Sequence, residues 1–462
     1  MLNSIINGIR ITFGQFELVM AIIVLIGLLL QKKKAVDVIK GVSKAMVGVM
    51  ILKQGSSLLQ EAYKPVMEIL KKAFGVTGIV TENYTGMASI NTALPEDIIS
   101  LVPMVLVCAF IINVLLARFT PLKYVFLTAH TLLAMSTLVT WIMVYFFHVD
   151  GVVLVLCAAL FVGMYNTIMP AWVHKYAKPF VGDSFTLGHF SGMSAIISAN
   201  IGKLLGGWKK NHKLHEEEEA NDSKGFTKIF ADSTVVTFLL MTVVLGGICL
   251  IAGKDYILEQ CGSTNWVVWT LELGGSFTVG IVVLLTGVRM MIAELVPAFK
   301  GISEKLIPNA VPALDMPVFY PLAPFASVLG FIGAFIGEFV AFFILLGCGS
   351  PILMIPGIIA TFFDGGIAGV FGYKYGDRKG AFVGGLVCGL VQILGGLVFT
   401  TWSGLAELGA TYGNTDFGTI WIAISGIAKV LSNVWVFMAV IVAVFVVACL
   451  LLKPKKNAEQ NK

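Results

Sequence analysis

Continuous apolar runs, each long enough to cross a lipid bilayer, dominate this chain. A helix needs about 20 predominantly apolar residues to span the hydrocarbon core. Runs of this kind lie near residues 15–31, 99–117, 124–148, 152–172, 233–252, 265–286, 325–347, 380–400 and 432–452. Because a spanning segment must satisfy its own backbone hydrogen bonds, helices are the expected form. The runs therefore predict an all-α polytopic membrane protein.

Composition supports this prediction and excludes several other classes of protein. Hydrophobic residues make up 57% of the 462 residues, and charged residues only 13%. The charged share is about half that of an average soluble domain. So little polar surface excludes a cytosolic enzyme and a disordered chain. From this composition we expect a lipid bilayer as partner and no nucleic acid, and the small net charge of +5 fits the excess of Lys and Arg on the cytoplasmic side of inner-membrane proteins.

Three less regular stretches, 39–60, 184–204 and 351–374, are rich in Gly, Ser and Pro. They are open to interpretation as full spans, amphipathic helices or re-entrant segments. With them we expect about eleven crossings. Basic clusters, which favour the cytoplasmic side, occur near residues 32–34, 118–123, 203–213, 374–379 and 453–456. Placing all of them inside puts the N-terminus outside and the C-terminus in the cytoplasm.

A weak internal repeat and a charged segment suggest two halves. Three residues recur 232 positions later, namely Gly55, Pro65 and Asn83 as Gly287, Pro297 and Asp315. Transporters are often built from two such repeats, with the substrate between them near the membrane midplane. We predict membrane halves at 1–207 and 225–452, a charged cytoplasmic loop at 208–224 and a cytoplasmic tail at 453–462. The loop is either a solvated linker or a docking element for a cytoplasmic partner.

A few polar residues within the apolar sequence are candidates for a binding site. An ionisable group within a membrane span is costly and usually faces a cavity. His130 lies in VFLTAHTLLAM, and His189 lies between glycines and serines in GDSFTLGHFSG. Asp315 lies where five of the fifteen prolines fall between 308 and 324, and broken backbone at membrane depth usually lines a cavity. The alternative for each histidine is a structural hydrogen bond between helices.

Two further carboxylates are conspicuous. Glu338 is a candidate proton or ion site, a partner for a basic group between helices, or a residue at an interface. Asp364 precedes Gly365-Gly366, which predicts the tip of a hairpin. No HExxH or GxSxG motif is present, and none of the seven cysteines forms a CxxC pair. We therefore predict no catalytic residue, metal site, disulfide or cofactor; a metal site formed by His130, His189 and Asp315 is the least favoured alternative.

Several segments together resemble a known family. They are IKGVSKAMVGVMILKQGSSLL (39–59), YKPVMEILKKAFGVTGIV (63–80), LTAH at His130, FTLGH at His189, TGVRMMIAELVPAFKGISEKLIPNAVPALD (286–315) and CGSPILMIPGIIATFF (348–363). The chain resembles the ascorbate-type enzyme IIC permeases of the bacterial phosphoenolpyruvate-dependent phosphotransferase system. The resemblance implies a homodimeric permease of the bacterial inner membrane. Each subunit would have a mobile core domain that carries the substrate by an elevator-like motion and a second domain that forms the dimer.

The resemblance also implies partners. A separate enzyme IIB carrying a phosphocysteine would phosphorylate the sugar at the cytoplasmic face, and enzyme IIA would recharge it. No soluble IIA or IIB domain is recognisable in this chain, so we expect both to be separate polypeptides. The alternative function, based on the buried carboxylates alone, is an ion-coupled secondary transporter of a small polar solute.

The same resemblance indicates substrate-binding residues. The family's polar-tyrosine pair matches Asn83 and Tyr84, its two histidines match His130 and His189, and its acidic residue matches Asp315. Two glutamines expected in ascorbate-binding members are Ala134 and Phe190 here. The resemblance implies L-ascorbate as substrate, and the absence of the two glutamines extends the prediction to a related sugar or polyol.

Overall fold

The computed structural model of the chain describes residues 15–74, 78–205 and 233–453. The charged loop predicted at 208–224 and the tail predicted from 453 lie outside these residues, except for Lys453. The elements of the first part are α1 (Phe16–Leu30), α2 (Ala35–Phe74), β1 (Ile79–Val80), α3 (Asn83–Ala93), α4 (Glu96–Ile99), α5 (Val102–Phe119), β2 (Tyr124–Phe126), α6 (Ala129–Phe147), α7 (Gly151–Val181), β3 (Thr186–Leu187) and α8 (Gly192–Leu204).

The second part repeats this mixture of long helices and very short strands. Its elements are α9 (Ser233–Ala252), α10 (Lys254–Cys261), α11 (Trp266–Lys305), β4 (Val311–Leu314), a 3₁₀ helix (Met316–Leu322), α12 (Pro324–Gly347), β5 (Met354–Ile355), α13 (Ile358–Trp402), a second 3₁₀ helix (Leu405–Leu408), α14 (Ile420–Val430) and α15 (Val434–Leu452).

The predicted class, an all-α polytopic membrane protein, is confirmed. Within the described residues, seven helices are long and apolar enough to cross a membrane, and the bent pair α9–α10 adds an eighth if it is one span. Since helix length and hydropathy do not place a bilayer, the prediction of about eleven crossings stays a prediction. The same holds for the re-entrant segments and for the division into a core and a dimerisation domain.

Helix α13 is a hairpin of two helical arms. Gly376 and Asp377 have non-helical backbone angles, and Asp377 has a φ of 57°. A Cβ added at Gly372 would overlap the carbonyl group of Gly380, so the arms run back along each other. The sequence-based prediction of a hairpin tip at Asp364 is therefore wrong, since that residue lies within the first arm. The glycine that follows Asp364 instead allows close packing, because a Cβ there would meet the backbone of α12.

The two longest unbroken helices, α2 and α11, pack against each other. Each contains 40 residues and one internal proline, Pro65 or Pro297. Gly55 of α2 lies against the backbone of Leu284, and Gly287 of α11 lies against the backbone of Leu52. The two glycines of the sequence repeat thus occupy similar positions, each allowing the partner helix to approach closely.

Two small parallel sheets interrupt the helices. In one, β1 pairs with β5, with Ile79 opposite Met354. In the other, β4 is central, with β2 on one side and β3 on the other. Ala313 of β4 is opposite both Phe126 of β2 and Thr186 of β3. These pairings satisfy backbone groups where the helices stop, which is how irregular backbone is tolerated inside a membrane protein.

Candidate substrate site

The carboxyl ends of β2, β3 and β4 lie side by side and lead into three predicted site residues. The backbone N–H of Leu127 extends the β2 pairing to Ala313, and that of Gly188 extends the β3 pairing to Leu314. His130 then follows in the first turn of α6, while His189 and Asp315 follow directly after their strands. Because parallel strands place their carboxyl ends at one edge, residues 59 to 185 positions apart in sequence become neighbours.

The two imidazoles face opposite oxygens of one carboxylate. His130 Nε2 lies 3.7 Å from Asp315 Oδ2, and His189 Nε2 lies 3.9 Å from Asp315 Oδ1. Both separations exceed a direct hydrogen bond, so these polar atoms can also bind a third group. Asp315 is held in place because its Oδ1 accepts a hydrogen bond of 2.8 Å from the N–H of Met316, at the start of the 3₁₀ helix.

An amide pair forms a second part of the lining, which we call the amide wall (Asn83 and Asn414). Asn83 lies at the start of α3, shortly after β1. Its Oδ1 accepts a hydrogen bond of 2.9 Å from the N–H of Gly413, and its Nδ2 donates one of 2.5 Å to Asn414 Oδ1. Tyr84 belongs to the same helix, but its side chain lies outside the described part of the structure.

Both walls border one cavity of about 570 Å³, counting its opening. Six of the seven predicted residues line it, namely Asn83, His130, Ala134, His189, Phe190 and Asp315. Residues that the sequence did not indicate complete the lining, namely Glu82, Thr131, Met316, Ile359, Ala360, Phe363 and Asn414. The cavity thus combines polar groups with apolar surface.

The two positions that lack a glutamine have different surroundings. Ala134 lies about one turn after His130 in α6, and its carbonyl accepts a hydrogen bond of 3.1 Å from the hydroxyl of Tyr412. Phe190 is only 1% exposed, and its ring centre lies 5.2 Å from that of His189 and 5.1 Å from that of Phe417. Phe190 therefore supports the His189 ring from behind as much as it lines the cavity.

Sequence reasoning missed a buried polar group behind the cavity, formed mainly by the segment TYGNTDFGT (411–419). Asp416 accepts hydrogen bonds of 2.7 Å from the hydroxyl of Tyr165 and from the N–H of Met193. Asp364, also fully buried, accepts hydrogen bonds from four residues, namely Ser191, Gln392, Asn414 and Thr415. The density of polar residues in this segment, between apolar spans, was the available signal.

Glu338 does not line the cavity. It is fully buried on α12, where its Oε2 accepts a hydrogen bond of 2.6 Å from the hydroxyl of Thr361. Its Oε1 has no hydrogen-bond partner among the described residues. The hydrogen bond from Thr361 supports a structural contact, and the oxygen without a partner among the described residues supports an ion site.

Donor atoms of His130, His189 and Asp315 lie within 4.8 Å of one another, so the same three residues have the composition of a metal site. Two imidazoles and a carboxylate suit transition metals such as zinc or iron. They suit hydroxyl groups equally, because imidazole can both donate and accept hydrogen bonds while a carboxylate accepts them. The donor set alone therefore does not select a metal.

A multi-helix membrane fold that surrounds a small polar cavity defines a class, the transporters of small hydrophilic solutes. Within this class, a family model described as the PTS system sugar-specific permease component matches residues 12–418. The chain belongs to this family of permease components of the sugar phosphotransferase system, as its sequence segments predicted. It is therefore a multi-pass transport subunit of the cell membrane.

A curated relative narrows the comparison. The chain is 27% identical over 424 residues to the "Ascorbate-specific PTS system EIIC component" of Mycoplasma pneumoniae (strain ATCC 29342 / M129 / Subtype 1). The alignment covers 82% of this chain and 64% of that relative. The chain thus spans less than two thirds of the length of the relative it matches.

Proposed function

We propose that this chain binds L-ascorbate or a related sugar or polyol in the cavity and carries it across the bacterial inner membrane. One observation supports this most, namely that His130, His189 and Asp315 converge at one sheet edge inside an otherwise apolar fold. Ionisable groups placed there are costly unless they serve a ligand or a pathway. The name of the curated relative supports ascorbate as the first substrate to test.

The chemistry of the cavity fits a small hydroxylated ring or chain. Asp315 accepts hydrogen bonds from hydroxyl groups, and His130 and His189 each offer a second polar contact. Ile359, Ala360 and Phe363 supply apolar surface for the carbon face of such a ligand. Each well-formed hydrogen bond contributes about 0.5–1.5 kcal/mol, and about 1.5–3 kcal/mol where a charged group takes part.

The residues at positions 134 and 190 influence which sugar or polyol the cavity binds. An alanine and a phenylalanine supply no side-chain hydrogen bond where ascorbate-type relatives are expected to have two glutamines. We therefore include pentitols and hexitols beside ascorbate.

Family membership supports a coupling to the soluble proteins of the phosphotransferase system, which is part of this proposal. A separate enzyme IIB with a phosphocysteine phosphorylates the substrate at the cytoplasmic face, and enzyme IIA recharges it. The chain itself then needs no catalytic residue, only a cavity that alternates between the two sides. We propose that a homodimer performs this by an elevator-like motion of a core domain, with the N-terminus outside and the C-terminus in the cytoplasm.

The test is uptake by membrane vesicles that contain the chain, supplied with the soluble phosphotransferase proteins. Labelled L-ascorbate, a pentitol and a hexitol are offered with and without phosphoenolpyruvate. We expect accumulation of phosphorylated product that depends on phosphoenolpyruvate and on the matching IIB. The second candidate, an ion-coupled transporter, is favoured by the unpaired oxygen of Glu338 and requires uptake of unmodified solute driven by a proton or Na⁺ gradient.

A further inference from the structure

A buried chain of hydrogen bonds leads from His189 to Asp364. The Nδ1 atom of His189 lies 3.2 Å from the hydroxyl oxygen of Ser191, and that hydroxyl donates a hydrogen bond to Asp364 Oδ1. Ser191 and Asp364 are both fully buried. Neither lines the cavity, so they affect a ligand only through the residues that do.

The hydrogen bonds that Asp364 accepts determine whether Ser191 donates to it or accepts from it. Asp364 Oδ1 also accepts from Asn414 Nδ2 at 3.0 Å, and Oδ2 accepts from the N–H of Thr415 at 2.5 Å and from its hydroxyl at 2.6 Å. Gln392 Nε2 donates to Oδ2 as well. Amide N–H groups can only donate, so the carboxyl group of Asp364 serves as an acceptor on both oxygens.

The hydroxyl of Ser191 has a single proton, and Asp364 receives it. Asn414 Nδ2 in turn donates to Ser191 Oγ at 3.2 Å. Toward His189, Ser191 can therefore only accept, which requires a proton on His189 Nδ1. In a neutral imidazole with its proton on Nδ1, the other nitrogen, Nε2, is an acceptor.

We propose that Ser191 and Asp364 are positioning residues that hold neutral His189 as its Nδ1–H tautomer, so that Nε2 faces the cavity as a hydrogen-bond acceptor. Nε2 lies 3.9 Å from Asp315 Oδ1, so two acceptors stand side by side. A ligand hydroxyl can donate a hydrogen bond to this pair. A ligand carboxylate at the same point has no proton to donate and would face only the lone pairs of the two acceptors. The inference rests on the proposed function of the cavity and adds that the substrate presents a hydroxyl proton here.

The substitution Asp364→Asn gives a sharp test, because the direction of its effect can be derived. Its amide oxygen must face the backbone N–H of Thr415, which can only donate. Its NH₂ group then faces Ser191 and donates to Oγ, while Asn414 Nδ2 loses its acceptor on this side chain and keeps the one on Ser191. The Ser191 hydroxyl proton is thereby released toward His189 Nδ1, and the proton of the imidazole moves to Nε2.

The tautomer is read from the ¹⁵N chemical shifts of histidine-labelled full-length protein in lipid nanodiscs, with His189 assigned by the loss of its signals in His189→Gln. We expect a protonated Nδ1 in the native chain, a protonated Nε2 in Asp364→Asn and a mixture in Ser191→Ala. Ser198→Ala is the matched control, since Ser198 is a buried serine within α8 whose hydroxyl, among the described residues, bonds to backbone carbonyls of its own helix. It should leave the spectrum unchanged.

A native His189 protonated on Nε2, or identical tautomers in the native chain and both variants, would overturn the inference. If Asp364→Asn does not fold, Ser191→Ala alone decides, because a structural role by itself leaves the tautomer in place. These spectra are recorded without substrate, so they stand even if the uptake experiment fails. Where uptake is measurable, we expect Ser191→Ala to raise KM severalfold with the same amount of protein in the membrane.

Discussion

The two polar walls of the cavity are built alike but differ in how their hydrogen bonds are satisfied. Each follows a short parallel sheet, and the repeat positions Asn83 and Asp315 mark the two places. On the amide wall, Asn83 is engaged at both of its side-chain heavy atoms by Gly413 and Asn414. On the other wall, the Asp315 carboxylate lies 3.7 Å from His130 Nε2 and 3.9 Å from His189 Nε2.

From this difference we propose that the amide wall supports the fold (the supporting wall) and that the wall of His130, His189 and Asp315 binds the ligand (the binding wall). A polar group whose partners are already within the protein stabilises the fold and gains little from a ligand. A ligand hydroxyl can bond both to Asp315 and to an imidazole Nε2 atom, which are too far apart to bond each other directly. We therefore expect substitutions on the two walls to affect different measurements.

The largest effect should come from Asp315→Asn. The new side chain keeps an oxygen for the N–H of Met316, so the fold is retained, but the negative charge between the imidazoles is lost. Hydrogen bonds to charged groups contribute about 1.5–3 kcal/mol, so we expect uptake at low substrate concentration to fall about tenfold to a hundredfold. Uptake is compared at equal membrane expression.

The matched control is Asp183→Asn. Burial opposes ionisation of Asp183, but hydrogen bonds with Lys178 and His174 outweigh it and hold the pKa of this carboxyl below its usual value. It is therefore also a charged carboxylate, yet it lies outside the cavity lining. Uptake should stay near that of the native chain, and an equal loss in both variants would show that Asp315 has no special role.

A change on the supporting wall should act mainly on stability. Asn83→Ala leaves the buried N–H of Gly413 without its acceptor, which costs about 1–3 kcal/mol. We expect a lower thermal unfolding temperature in detergent and a smaller loss of uptake per folded molecule than in Asp315→Asn. The control Asn91→Ala makes the same change at an exposed position of α3. A greater loss of substrate affinity than in Asp315→Asn would reverse the assignment of the two walls.

A smaller and opposite effect is expected from Ala134→Gln. This variant restores an amide one turn after His130, where it can reach a ligand on the binding wall. One added hydrogen bond of about 0.5–1.5 kcal/mol should tighten ascorbate binding about twofold to tenfold. Ala134→Leu adds similar bulk without polar atoms and serves as the control. If both variants weaken binding of every substrate in a titration series, the cavity has no room for an amide at this position.

The smallest effect should come from Glu338→Gln, away from both walls. A glutamine can keep the hydrogen bond from Thr361 through its side-chain oxygen, so we expect uptake driven by phosphoenolpyruvate to change less than about twofold. An ion-coupled transporter that uses this carboxylate would lose uptake in the variant. Measuring initial rates with a proton or Na⁺ gradient, in parallel with phosphoenolpyruvate, separates the two mechanisms.

The helices could be predicted well because a helix that crosses the hydrocarbon core needs about 20 apolar residues in a row, and such runs are visible in the sequence. The run predicted at 233–252 coincides with α9, and the run at 325–347 begins one residue after α12 does. The proline-rich stretch around Asp315 also indicated broken backbone correctly. These features depend on residues adjacent in sequence.

Much of the site could not be predicted, because it depends on contacts between distant segments. His130, His189 and Asp315 could each be predicted as site residues. That they lie close together results from strand pairing, which leaves no pattern in the local sequence. Asn414 and Asp364 were missed as partners because the segment 411–419 packs against α8 and α13 only in the folded chain. Asp364 was misplaced because a glycine pair that serves helix packing resembles a turn.

Helices α12 and α13 meet backbone to backbone through glycines such as Gly330 and Gly389, where even one methyl group would clash with a carbonyl of the other helix. Sliding along this interface requires the helices to separate first, because backbone meets backbone at these glycines and the Glu338–Thr361 hydrogen bond also joins α12 to α13. If the proposed transport cycle moves these helices, we therefore expect α12 and α13 to move together. Asp364 and Glu338 would then keep their separation, and alternating access would arise at more loosely packed boundaries.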